Sequence, residues 1–509
     1  MADTLTRAAH AGAAGGQATG GVADPRRWLA LVVIAMSQLM IVLDASVVVV
    51  ALPSAQHALH ISQANRQWVL TAYTLAFGSL LLLGGRIADY VGRRRTFVVG
   101  LLGFGVASAL GGLAQDQAML FGARALQGAF AALMAPAALS ILTVTFTEAR
   151  DRARAFGVYG GIAGGGAAIG LVLGGVLTQV ASWRWTLLIN VPIALVAVFA
   201  AGRVVRSDRA PSASRRAYDI PGALSATAGL LLLVLGFSAA DTHGWTDVLT
   251  LSLIVAGVAV LGVFVRIELR STHPLLPLRV VLDANRGGAY LSSLLVGIAL
   301  LGTFLFLTFF LQGTLHYSAL KTGFAFLPFS GGIIVGASLA SRFLPRTGPR
   351  RLMTIGLLLA CVGLLWFTRL TVDSSYVTHL LPAELVVSIG MGLTFVPMSS
   401  TALIGVDPDA AGVASALVNA VQQVGGALGT SLLNTVAASA TASYLVARPL
   451  VHDATAVATV HGFTVGFGVS AALVAAAALV AAWFIRGSRQ HDGTGPVVEL
   501  VPALASTER

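Results

Sequence analysis

The sequence predicts an all-α polytopic membrane protein with fourteen transmembrane helices, on three observations. Of 509 residues, 56% are apolar and 10% charged, with a mean hydropathy of +0.84. A soluble chain carries about 25% charged residues, so too few remain here to cover a water-facing body. The apolar residues gather into blocks of roughly helix-crossing length, about 20 residues, and the basic residues fall between the blocks. In a soluble protein +11 charge and a pI near 10.7 would point to nucleic acid. Arginines placed between apolar segments point to membrane topology instead, so no nucleic-acid partner is expected.

Residues 1–27 are Ala- and Gly-rich, end in Asp24-Pro25-Arg26-Arg27, and contain no apolar core. They read as a disordered cytoplasmic tail, not a cleaved signal peptide. The predicted spans follow at 28–52, 67–88, 96–114, 118–142, 155–180, 183–203, 220–240, 247–267, 287–312, 322–343, 351–371, 379–404, 411–438 and 461–485. Membrane strands would be about 9–11 residues of alternating polarity, a pattern that is absent.

Arginine placement tests this parse. With the N-terminus in the cytoplasm, inside segments hold 26 basic residues and outside loops 5 (Arg66, Arg184, Lys321, Arg369 and Arg448), leaving Arg124 within a span. The positive-inside rule therefore gives an even number of spans with both termini cytoplasmic. The loop 405–410 dissents, carrying Asp407 and Asp409 and no base. The single cysteine, Cys361, lies in an apolar run and excludes a disulfide framework.

Gly85 to Arg95 and Ser341 to Arg351 are similar segments after spans 2 and 10, with Gly92 matching Gly348. The repeat divides the chain into a six-helix bundle at 28–203 and another at 287–485. Two inserted helices (220–267) lie between a basic cytoplasmic linker (204–219) and a second linker (268–286), and a cytoplasmic tail follows at 486–509. Internal repeats of this kind build central sites that open alternately to either side of a membrane.

Within spans, acids are scarce. Asp44 lies 16 residues beyond Trp28, roughly 24 Å along a helix at 1.5 Å per residue. A charge at that depth must be paired, hydrated or neutralised. Burial and a nearby cation act on such a carboxyl in opposite directions, which suits a proton carrier. A fixed structural ion pair or a helix-bending hydrogen bond is the alternative. Glu384 sits near the outer end of span 12. Arg124 opens Arg124-Ala125-Leu126-Gln127-Gly128 on span 4 and stays charged. It serves as partner to Asp44, as an interhelical brace, or as both.

The 85–95 loop sets Asp89 just before Gly92-Arg93-Arg94-Arg95, where a charge-assisted contact at a helix end can form in one conformation and break in another. Span 5 carries glycines at every fourth position, in the rows Gly157-Gly161-Gly165 and Gly166-Gly170-Gly174. Such rows bring helix backbones together, in a static or a sliding interface. Polar candidates for a cavity are Gln38, Tyr73, Asn190, Gln312, Asn419, Gln422, Gln423 and Asn434; soft walls would come from Phe77, Phe304, Phe306, Phe309, Phe310, Met134, Met391 and Met398. The substrate-cavity set is Gln38, Tyr73, Phe77, Phe309, Gln312, Glu384, Asn419 and Gln422. No P-loop, His-Glu-x-x-His or Gly-x-Ser-x-Gly occurs, so neither catalysis, a cofactor nor a metal is expected.

The motifs, taken in order, resemble the fourteen-helix drug:proton antiporters of the major facilitator superfamily, over about residues 28–485. Leu43-Asp44-Ala45-Ser46-Val47-Val48-Val49-Val50-Ala51-Leu52-Pro53 resembles the family's first-helix motif, and 85–95 its loop motif. Arg124 to Gly128 is similar to the helix-4 motif, and Gly166 to Gly175 to the antiporter motif of helix 5. Trp183-Arg184-Trp185 with Asn190-Val191-Pro192, Pro274 to Leu278, and Tyr317 to Gly323 resemble further signatures. The chain departs from the pattern at Val49, where the family usually has Asn, and at Leu171, where it usually has Pro. The first removes a polar cavity group and the second a helix kink.

The resemblance implies the major facilitator fold, of two six-helix bundles plus two inserted helices. It gives Asp44 and Arg124 the proton-coupling role. Gly85, Asp89, Gly92, Arg93 and Arg94 become the conformational switch, and Gly166, Gly170, Gly174 and Gly175 the antiporter interface. The expected activity is proton-coupled efflux of a lipophilic, antibiotic-like molecule by alternating access, from a monomer in the cell membrane whose partners are substrate, protons and lipid. Export of an endogenous metabolite such as a siderophore, lipid or self-made antibiotic is the alternative, with a receptor or membrane enzyme on the same scaffold further behind.

Overall fold

The computed structural model describes residues 27–63, 65–146, 148–205, 219–271, 274, 281–402, 411–447 and 453–486. The tails before 27 and after 486, residues 206–218, 272–273 and 275–280 of the two linkers, and the dissenting acids Asp407 and Asp409 lie outside the described residues. Among the described residues there is no strand. Among the same residues ten helices are long and apolar enough to cross a membrane, and one of these, Ala319–Phe367, is long enough for two crossings.

The helices are α1 (Arg27–Ala58), α2 (Trp68–Val91), α3 (Arg93–Gly112), α4 (Gln117–Thr145), α5 (Ala149–Val180), α6 (Trp185–Val204), α7 (Ile220–His243) and α8 (Val248–Arg270). Next comes α9 (Ala284–Phe309), which runs on through a π-helical turn, Phe310–Thr314. A short helix, Ala319–Ala325, leads to the helix Leu327–Phe367, which bends at Gly348 into α10 (327–347) and α11 (349–367). The chain ends with α12 (Leu381–Thr401), entered through the π turn Tyr376–Leu380, then α13 (Ala411–Ala447) and α14 (Ala454–Phe484).

Helix limits follow backbone preference beyond the apolar runs. Helix α13 continues to 447 and α14 starts at 454, past the predicted 438 and 461, through Ala-rich sequence that hydropathy undervalues. Where a loop is predicted between 343 and 351, the chain stays helical except at Gly348 (φ 74°, ψ 163°). Gly92, its counterpart between α2 and α3, has φ 104° and ψ 134°. Both are conformations that side-chain-bearing residues rarely adopt. The repeated glycines thus mark the same backbone event in each half.

Helices α1–α6 pack on one another, chiefly α1 on α5, α2 on α4, and α3 on α4 and α6. A second group joins α9 to α13 and α14, and α10 and α11 to α12 and α14. The groups meet along two seams. At one, α2 lies on α13 so closely that a Cβ on Gly78 would press on the α13 backbone at Ala420 and Val424. At the other, α5 meets the short helix 319–325 and the helix that follows it. Helix α7 rests on α2 and α13, while α8 packs mainly on α7 and is left largely exposed.

Hydrogen bonds between the two groups gather at one end. Arg66 Nε donates to Asn434 Oδ1 (3.1 Å), and the Thr71 and Thr430 hydroxyls pair at 2.7 Å. Asn434 Nδ2 donates to Gln63 O (3.4 Å), Gln312 Nε2 to Val50 O (2.9 Å), and Leu320 N to Gln179 Oε1 (3.3 Å). The Arg66 guanidinium stands 4.0 Å from the centroid of the Phe309 ring. Gly175 against Ala319 and Leu320, and Gly323 against Leu171 and Val172, bring backbone onto backbone here. This end is sealed.

Candidate functional site

Asp44 is drawn into the α1–α6 core by the apolar residues on either side of it and is 1% exposed. Arg124, on α4, is fully buried. Its Nη1 donates to Asp44 Oδ2 at 2.5 Å and to Gln127 Oε1 at 2.8 Å, while its Nε donates to Val69 O at 2.9 Å. The other carboxylate oxygen, Asp44 Oδ1, accepts from Gln127 Nε2 (2.8 Å) and Asn190 Nδ2 (2.9 Å). Gln127 Nε2 also donates to Ser108 Oγ (2.8 Å). Five helices, α1 to α4 and α6, converge on one ion pair.

A buried pair of this kind persists only when its charges offset each other and the remaining lone pairs are met. Both carboxylate oxygens are met here. Two neighbouring polar atoms are not: Tyr73 Oη and Asn190 Oδ1 are buried with no hydrogen-bond partner among the described residues. The Arg124 guanidinium lies 4.5 Å from the Tyr73 ring centroid, a cation–π contact.

Tyr73 is also a wall of a cavity of about 400 Å³ between the two groups. The polar side chains around the cavity are Gln38, Ser46, Tyr73, Tyr159, Asn419 and Gln423; Phe77, Phe304, Val49 and Leu171 are among the apolar ones. On α2 and α13 the lining residues sit away from the seal, whereas on α1 and α5 the lining runs up to it at Val49 and Leu171. Helix α2 seals with Thr71 and lines with Tyr73 and Phe77; α13 seals with Thr430 and Asn434 and lines with Asn419 and Gln423. Asp44 lies behind the wall, next in sequence to the lining residue Ala45. Ion pair and cavity share one partition, the Tyr73 ring.

The structure sorts the sequence candidates. Asp44 and Arg124 are brought together. Gln38, Tyr73, Phe77 and Asn419 line the cavity. Gln312 and Phe309 belong to the seal. Gln422 lies along α13 with its backbone against Gly297, and its neighbour Gln423 faces the cavity instead, because adjacent residues on a helix point about 100° apart. Glu384, expected at the cavity, sits in the first turn of α12 near the seal, 3% exposed, within 3.3 Å of Tyr376 Oη. Hydropathy placed it inside a span but gives no helix rotation.

On α5, Gly166, Gly170 and Gly174 press on α1 at Val42, Ser46 and Val47, and Gly175 abuts the short helix 319–325. The row 157–161–165 lies where side-chain surroundings are outside the described residues. In the switch loop, Arg94 donates to Gly202 O at the end of α6, and Arg86 Nη2 to Pro274 O (3.1 Å). Gly85 stands by Pro136 of α4, Arg93 begins α3, and the surroundings of the Asp89 side chain lie outside the described residues. Both departures from the family pattern, Val49 and Leu171, fall on the cavity wall, and α5 passes through Leu171 as unbroken helix.

Gln127, Ser108 and Asn190 complete the Asp44 environment. Gln127 stands within the helix-4 motif and Asn190 among the polar span residues, so a signal existed for both. Ser108, in an Ala- and Gly-rich helix, gave none.

Membrane-length helices around a cavity, with a buried ion pair at its wall and one end sealed, define a multi-pass membrane transporter. The profile of the Major Facilitator Superfamily matches residues 34–430. The puromycin resistance protein pur8 of Streptomyces alboniger is 51% identical over 479 residues, covering 93% of this chain and 94% of that one. The cephamycin export protein CmcT of Amycolatopsis lactamdurans is 41% identical over 414 residues, covering 81% and 85%. In fold the chain is similar to a bacterial homolog of the human lysosomal transporter Spinster, in an inward-facing and occupied conformation, with a TM-score of 0.63. That match has 15% identity and covers 90% of this chain and 96% of the other. The chain belongs to the Major Facilitator Superfamily.

Proposed function

We propose that the protein exports an antibiotic-like small molecule across the cell membrane by alternating access, driven by proton entry through Asp44. The relatives, named for puromycin resistance and cephamycin export, support the cargo class. The observation that carries the mechanism is the Asp44–Arg124 pair set one aromatic ring behind the cavity.

In this reading both termini are cytoplasmic, an orientation that the arginine distribution supports, and the sealed end is the outer one. The cavity then serves the cytoplasmic face, and the two helix groups rock about their seams. A molecule in the cavity displaces or hydrogen-bonds Tyr73, whose hydroxyl has no hydrogen-bond partner among the described residues, and so shifts the ring packed on Arg124. Protonation of Asp44 removes the charge that holds Arg124, and the freed guanidinium turns to Gln127 and the Val69 carbonyl. Substrate and proton drive exchange because each favours a different conformation. One charge crossing 100 mV supplies about 2.3 kcal/mol before any pH gradient is counted.

In inverted or reconstituted vesicles with an imposed pH gradient, Asp44→Asn is expected to abolish proton-driven transport while the protein is still made at wild-type level. Transport that survives the change removes Asp44 from the mechanism. Drug susceptibility of cells expressing the chain, with and without an uncoupler, identifies the cargo. The same cycle serves export of an endogenous metabolite, a reading that a relative named for cephamycin export favours.

A further inference from the structure

The second buried acid, Glu384, lies outside the cavity and takes no part in the cycle above. Its Oε2 is 3.3 Å from Tyr376 Oη, and its Oε1 is buried without a hydrogen-bond partner. Among the described residues no cation pairs with it. Tyr376 is the titratable group against it, and the Tyr376 ring in turn meets the ring of Tyr317, which carries Lys321 Nζ 3.6 Å from its centroid. The backbone N–H of Phe329, in the first turn of α10, also faces the carboxyl. The rest of the surroundings belongs to the apolar core of the second group, with Phe329, Leu380, Ala383 and Val387 close in sequence or space.

Hydrogen counting sets the state of this acid. Tyr376 Oη is also 2.6 Å from Ala325 O. A backbone carbonyl only accepts, and a phenol has one hydrogen. At 2.6 Å against 3.3 Å, that hydrogen belongs to Ala325 O. Glu384 Oε2 is left the weaker share of that hydrogen, with no cation beside it among the described residues, and a buried carboxyl so placed is held neutral.

We propose that Glu384 is a second protonation site, neutral in this conformation, whose proton holds the seal shut. Ala325 is the last residue of the short helix 319–325, and its neighbour Phe326 separates that helix from α10. The same short helix forms the α5 side of the seal through Ala319, Leu320 and Gly323. When Glu384 loses its proton to solvent, the carboxylate becomes the stronger acceptor and takes the Tyr376 hydrogen from Ala325 O. The joint that presents the short helix to α5 then loses its tether. Acid favours the sealed form and alkali the released one. Glu384 works through Tyr376 and is a positioning residue for the seal; its role does not depend on the proposed cargo or on Asp44.

The test uses the full chain in lipid nanodiscs without substrate. Acid-minus-alkaline infrared difference spectra are expected to show a protonated-carboxyl C=O band, shifted in heavy water, in both wild type and Asp44→Asn. The band is expected to be lost in Glu384→Gln and displaced in Tyr376→Phe, which removes the phenol hydroxyl that lies against the acid. Glu384→Asp, which keeps a carboxyl, is expected to retain a displaced band. Spin labels on Gln179→Cys and Leu320→Cys, in a Cys361→Ser background, are expected to separate as pH rises and to stay close at every pH once Glu384→Gln is added. The proposal is overturned by a wild-type band that persists in Glu384→Gln, by one unmoved in Tyr376→Phe, or by a label distance that ignores pH in the parent.

Discussion

At the scale of single residues, the charge centre depends on mutual satisfaction. Arg124 makes three hydrogen bonds through two nitrogens while its plane rests on Tyr73. Removing one partner of a buried pair strands the other charge, at a cost of about 3–5 kcal/mol. Arg124→Ala is therefore expected to lower the thermal unfolding midpoint in detergent, and Asp44→Asn with Arg124→Gln together to recover most of the loss. A double variant no more stable than Arg124→Ala would contradict the pairing. The sequence made Asp44 and Arg124 legible because a charge in an apolar span is rare and must find its opposite. It left Ser108 hidden, since a hydroxyl in a helix has its own backbone carbonyl as an acceptor and advertises nothing. Arg66 was hidden differently: it read as a loop base, yet it is 7% exposed between Asn434 and Phe309, far along the chain.

At the scale of elements, α5 owes its position to glycine. A Cβ on Gly174 would meet the backbone of α1 at Val47, and one on Gly170 the side chain of Ser46. Gly174→Val is expected to push α1 and α5 apart and to abolish transport, whereas Ile169→Val, on a residue 56% exposed, is expected to leave transport unchanged. Gly92 and Gly348 impose a different demand. A Cβ at either would meet nothing within 4 Å, so space is not the constraint; their positive φ is. Gly92→Ala or Gly348→Ala is expected to cost about 1–2 kcal/mol of strain, seen as a lower melting midpoint with no loss of assembled protein. Spacing in the sequence showed both kinds of glycine but not which fault each would cause. That distinction needs the neighbouring helix in one case and the dihedral in the other.

At the scale of the whole molecule, helix number and order followed from apolar block length and arginine placement, because a bilayer permits few alternatives. Helix rotation did not follow. An apolar run says that a segment leaves water, and membrane helices are apolar on lipid-facing and protein-facing sides alike. Hence hydropathy tells Gln422 from Gln423 no better than it tells Glu384 from the residues that line the cavity. The seal is likewise a property of the assembled chain, joining residues more than a hundred positions apart. A disulfide between Gln179→Cys and Leu320→Cys, in a Cys361→Ser background, is expected to stop transport and a reducing agent to restore it. Transport unaffected by the cross-link would show that this end never parts.

The polar contacts of that closed end also set how stiff a machine this is. Five hydrogen bonds join the two groups there, and side-chain bonds between membrane helices average about 0.6 kcal/mol each. Together they amount to roughly the work done by one elementary charge falling through a resting membrane potential. In the proposed cycle a latch of that size opens only rarely by thermal agitation, and the descent of a single ion is matched to it.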